Sequence, residues 1–140
     1  MLPELLAEIR RQGDDGAGTG PEPVVGLELF FEGNDDLGSI GGNLPRHPGI
    51  PTFYEVLKGV RDRPDVHDVR VGIGEVADTG EWPFGSHVYV VTSAPPGEVC
   101  GWVAELQPQD DPGSTWYHGT PPLDAPVVPS GMHLVTLWWD

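Results

Sequence analysis

No lysine or arginine follows Arg70, so the last seventy residues carry nine carboxylates (Glu75, Asp78, Glu81, Glu98, Glu105, Asp110, Asp111, Asp124, Asp140) and no fixed positive side chain. That half cannot form a Lys or Arg salt bridge within itself. A single cysteine, Cys100, excludes an intrachain disulfide framework and a multi-cysteine zinc site. Lying in an apolar helical pattern, it reads as a small buried side chain. No apolar run approaches the roughly 18 residues that a membrane-spanning helix needs. At the N-terminus acids are mixed among the apolar residues and Arg10 and Arg11 follow them, the reverse of a secretory signal, so a cytoplasmic protein is expected. Basic clusters are also missing, with 7 Lys and Arg against 22 Asp and Glu and a formal charge of -15. Nucleic acid and anionic membrane surfaces both require such clusters and are excluded as partners. A basic protein is the natural counterpart of this charge.

Large apolar side chains are present in number, with five Trp, four Phe and three Tyr in 140 residues, which is enough to build one folded domain. Gly and Pro supply the long connections between elements. Leu2, Leu5, Leu6 and Ile9 recur at helical spacing and predict an amphipathic helix over 3–12. The Gly-rich, acidic stretch Gly13 to Pro23 then reads as a flexible linker, so residues 1–23 form an appendage to a domain spanning 24–140.

Within that domain, VVGLELFF (24–31) alternates as a first strand and is followed by the loop Glu32 to Pro48. Thr52 opens a helix whose apolar face is Phe53, Val56, Leu57 and Val60, ended by Pro64. Val66 to Val76 and His87 to Thr92 read as the second and third strands. A second helix follows Pro95 and Pro96 with Val99, Trp102, Val103 and Leu106 as its stripe. After a Pro- and Gly-rich span from Pro108 to Gly131, MHLVTLWW gives a fourth strand. The order β-α-β-β-α-β predicts an α+β fold of ferredoxin-like type, a four-stranded antiparallel sheet with both helices on one face.

No constellation carries strong chemistry. The loop EGNDDLGSIGG after the first strand lacks the positive environment of a phosphate cradle, and its consecutive Asn34, Asp35 and Asp36 lack the alternation of a calcium loop. It reads as a connector or a protein-contact loop. The five histidines lie far apart in sequence and none pairs with the cysteine, so neither a metal nor any other cofactor is expected. The serines lack a nucleophile elbow and Cys100 lies mid-helix, so catalysis is not the leading reading.

The expected profile is a small, acidic, non-catalytic protein-binding module, of the kind by which immunity-type inhibitors neutralise a basic protein. Its steering groups would be Glu32, Asp35 and Asp36 in one loop, Glu75, Asp78 and Glu81 in a second, and Asp110 and Asp111 in a third, with Trp82 and Trp116 as aromatic anchors. The opposing expectation is a dimeric small-molecule enzyme or ligand-binding protein, joined through the open sheet face. It requires a convergent polar pocket with perturbed titratable groups, for which His67, His87 and His133 are the first candidates. The two expectations differ over that open face, which residues 108–131 either cover or leave as an interface.

Overall fold

A computed structural model describes residues 2–12, 22–75, 82–109, 112–116, 121–122 and 124–139. Helix α1, Leu2–Arg11, follows the predicted spacing, and its Leu5 and Ile9 are buried in the main core. Strand β1 is only Val24–Val25, and α2 is Leu27–Phe31. Helix α3, Ile50–Arg61, leads into β2, Val66–Glu75, and β3, Phe84–Thr92. Helix α4, Pro96–Trp102, is followed by a single 3₁₀ turn at Ala104–Leu106 and by β4, His133–Trp138.

The first predicted strand is therefore corrected: the chain pairs at Val24 and Val25 and then turns into a helix. Leu27, Phe30 and Phe31 stand at i, i+3 and i+4, and all three are buried. Alternation along a strand would have put the two phenylalanines on opposite faces. Burying both rings on one helical side outweighs the local β preference of the run. Glu28, on the outer side of α2, accepts two hydrogen bonds from Arg61 at 2.7 and 2.6 Å and ties α2 to α3.

The sheet runs in the order β1-β2-β3-β4 with every neighbour antiparallel. The fold is thus α+β with a four-stranded antiparallel sheet, but its strand order is not the ferredoxin-like one. A split βαβ holds its two strands parallel with another strand between them. Here β1 pairs directly with β2, Val24 opposite Gly72 and Val25 opposite Val71. A two-residue strand has too few backbone groups to fill the centre of a sheet, and β1 lies at its edge.

Both edges are closed by local hydrogen bonds, which protects them from pairing with another chain. At β1 the Gln12 side chain imitates a strand: its Nε2 donates to Val24 O at 2.8 Å and its Oε1 accepts from Val24 N at 2.9 Å. At β4, Gly113 and Thr136 exchange backbone hydrogen bonds of 2.9 and 2.8 Å. Gln109, which donates from its backbone N to Trp138 O at 2.9 Å, and Gly113 therefore both lie against the β4 edge. This close approach uses the absence of a side chain at Gly113, since a Cβ there would lie 3.3 Å from Thr136 Cβ.

One face of the sheet carries the main core. Val69, Val71, Val88, Val90, Val135 and Leu137 join Leu5 and Ile9 of α1, Phe30 and Phe31 of α2, Phe53 and Leu57 of α3, and Val99 of α4. The other face carries a smaller cluster of Val24, Tyr89, Val91 and Leu134, with Trp116 and Met132 packed on it. Among the described residues no helix is long and apolar enough to cross a membrane.

Candidate functional site

The smaller face holds the unusual chemistry. Glu22 precedes Pro23, which favours extended backbone at Glu22, and Pro23 O accepts a hydrogen bond of 2.8 Å from Ile73 N. The segment leading into β1 therefore already lies along β2. Side chains alternate in an extended chain, so Glu22 shares its face with Val24, while Val25 enters the main core.

Gly72 makes room for the carboxyl. It stands opposite Val24 on one side and His87 on the other. A Cβ at Gly72 would lie 2.8 Å from the Tyr89 ring and 2.9 Å from Glu22 Cδ and Oε1. Across this gap Tyr89 Oη donates a hydrogen bond to Glu22 Oε1. The other oxygen, Oε2, is buried without a hydrogen-bond partner and lies 3.8 Å from His87 Nδ1. That ring nitrogen is 2.8 Å from Ser86 Oγ. Gly74 repeats the device one step along the strand, where a Cβ would lie 2.8 Å from Ser86 Cβ.

Only 6 % of Glu22 is exposed. Burial pushes its carboxyl from the ordinary 4.5 up to about 7, against the hydrogen bonds of Tyr89 and Ser86, which favour the ionised form. A carboxyl that titrates near neutrality can give or take a proton at physiological pH. Ser86, His87 and Glu22 do not form a nucleophilic triad, because both partners address the same imidazole nitrogen. A triad needs the serine on one nitrogen and the carboxylate on the other.

Beside this group opens a cleft of about 310 Å³ lined by His87, Gly113, Thr115, Trp116, Thr136 and Trp138. Its roof comes from the segment that borders β4. Thr136 Oγ1 donates to Thr115 O at 2.8 Å, and the next residue, Trp116, packs on Tyr89 with ring centroids 4.8 Å apart. Residues 113–116 thus cover part of the open face and leave an aromatic-walled recess beneath them. A larger groove of about 440 Å³ lies between α3 and α4, where Arg63 stacks on Trp102 at 3.9 Å. Its two acids, Glu55 and Glu105, are solvent-exposed, Arg63 is only partly buried, and among the described residues that line it no titratable side chain is fully buried.

The residues expected to bind a partner are dispersed. Glu32, Asp35 and Asp36 are exposed in the loop after α2, where Asp36 Oδ1 accepts from Gly38 N at 2.9 Å and caps a 3₁₀ turn. Trp82 packs on the main core and donates to Phe30 O at 2.8 Å, whereas Trp116 lies on the opposite face. Asp78, Glu81, Asp110 and Asp111 fall outside the described residues, and so does the side chain of Glu75.

Of the three histidine candidates, His87 alone joins the cleft. His133 Nε2 donates to Ala94 O at 2.6 Å as a strand-end contact, and His67 is exposed. His47 is also structural, donating to Ile40 O at 2.7 Å and accepting from Gly49 N at 2.9 Å. Among the described residues no three His, Cys, Asp or Glu side chains converge as metal ligands would. Sequence reasoning missed Glu22, which it placed in a solvated linker. The available signals were the prolines on either side of Glu22 and the glycines at 72 and 74 inside a strand, which mark a close approach.

The fold and site define an α+β protein with an antiparallel sheet, one face of which carries a buried carboxyl beside an aromatic cleft. The chain belongs to the Uncharacterized protein YfbO family, whose profile matches residues 2–137. It is 36% identical over 139 residues to a bacterial protein described as "Uncharacterized protein YfbO" from Escherichia coli (strain K12), covering 99% of this chain and 98% of that relative. No solved structure matches it.

Proposed function

We propose that this protein binds a small molecule in the cleft on the open face of its sheet, with His87 and Glu22 at the polar end and Trp116 and Trp138 as walls. The observation that carries this reading is the juxtaposition of a recess of about 310 Å³ with a buried carboxyl whose second oxygen lacks a partner. The volume is at the lower end of ligand sites, roughly 300–1,000 Å³, and suits a compact metabolite. Apolar walls with a few polar groups at one end are the usual build of such sites. A saturation-transfer NMR screen of metabolite-sized compounds, run on the native protein and on Trp116→Ala, tests it. Hits that vanish when the indole wall is removed support the reading; a set of hits indifferent to Trp116, or an empty screen, sinks it.

A second reading, a basic protein partner, draws support from one surface feature. Glu32, Asp35 and Asp36 are exposed beside Leu37, which is 53% exposed, a combination of steering charge and apolar contact. Under this reading the tagged protein retains a single basic protein from host lysate at low salt and loses it at high salt. Retention of nothing at either salt removes this reading.

A further inference from the structure

Resting on the small-molecule reading, we infer that the cleft takes an organic cation, an ammonium group carried on a compact apolar body. The side chains that line it are two indoles, an imidazole and two threonines, and none is a lysine or arginine. The fixed cation on this face, Arg70, stands opposite Tyr89 and is held by Asp68 at 3.0 Å. An incoming anion therefore meets no free fixed charge among the described residues of this face.

A cation meets three favourable features. Indole faces attract positive charge through their quadrupole, most strongly where water is excluded. Behind His87 lies Glu22 Oε2, which has no hydrogen-bond partner, and a positive ligand nearby favours the ionised carboxylate. The net charge of -15 raises the local concentration of cations around the whole molecule. Tyr89 already hydrogen-bonds the carboxyl and fixes its place, so the site is built before the ligand arrives.

The test uses three molecules of nearly the same shape: choline, its neutral analogue 3,3-dimethylbutan-1-ol, and the anion 3,3-dimethylbutanoate. Each is titrated into the full chain while the indole N–H signals of Trp116 and Trp138 are followed by NMR. The expected result is choline binding at least ten-fold more tightly than the alcohol, with the anion weakest. In Glu22→Gln, which keeps the shape of the side chain, the gap between choline and alcohol should shrink to less than two-fold. Equal binding of choline and the alcohol by the native protein overturns the charge inference and leaves the cleft reading standing. So does tightest binding of the anion. If none of the three moves either indole signal, both the inference and the reading beneath it fail.

Discussion

On the face that meets the helices, β2 and β3 present Val69, Val71, Val88 and Val90, none more than 1% exposed. On the other face the neighbouring residues of the same strands are Arg70, Gly72, His87 and Tyr89. The first set is chemically uniform and interlocks with Phe30, Phe53 and Leu57, so it carries the apolar burial that stabilises the fold. The second set mixes a glycine, an imidazole, a phenol and a guanidinium, and one of its neighbours is a buried acid. Each additional buried polar group there costs free energy unless it is paired. A face that keeps an unpaired Glu22 oxygen is therefore weaker than the one across the sheet, and that contrast separates the part of the molecule that holds shape from the part proposed to meet a ligand.

The contrast predicts effects of graded size. The largest belongs to the helix-covered face. Phe53 is fully buried there, and Phe53→Ala should cost about 3–5 kcal/mol in urea unfolding through lost burial and a residual cavity. If the faces are as separate as they look, the Glu22 midpoint in the folded variant stays where it was; a shift of a unit or more breaks the comparison.

Next comes the pH dependence of Glu22. Its carboxyl is raised in the folded state from 4.5 to about 7, so the neutral form is the one the fold prefers. The stability associated with it is complete below pH 4.5 and is lost as pH rises through 7. That rise corresponds to roughly 3 kcal/mol. Glu22→Gln cannot ionise, so between pH 5 and pH 8 the native protein should lose about 2–3 kcal/mol relative to it in paired unfolding curves. Parallel curves for the two proteins across that range would place Glu22 in an ordinary solvated setting.

The smallest of the three is Gly72→Ala, which puts a methyl group where Glu22 and the Tyr89 ring now lie. Overpacking of this kind costs about 1–3 kcal/mol. The displaced carboxyl should return toward its ordinary value, and the Tyr89 ring signals should shift with it. An alanine accepted without change in either would mean that Gly72 does not hold the site open.

Much of this fold is visible in periodicity. The stripe of Phe53, Val56, Leu57 and Val60 marks α3, and the alternation of Val69, Val71 and Ile73 marks β2, because in each case one pattern dominates. VVGLELFF satisfies both periods at once. Its Leu27, Phe30 and Phe31 sit on a helical face only because α3 is there to receive them. Strand order was equally beyond local pattern, since it depends on how short β1 becomes once α2 takes its continuation.

The site was legible only in parts. His87 and Trp116 belonged to separate expectations, one a titratable candidate and the other an anchor, and the Tyr89 ring lies between them. Glu22 was hidden by composition, one acid among 22 in a stretch that looks solvated. Only the register that sets Gly72 beside it shows why it is buried.

The most direct test of the account is the titration of the Glu22 side-chain carboxyl carbon by NMR in the folded protein. The account predicts a midpoint near 7, with the His87 and Tyr89 signals moving at the same pH. A midpoint near 4.5, the ordinary value, would contradict it and leave the open face with a cleft but no poised acid.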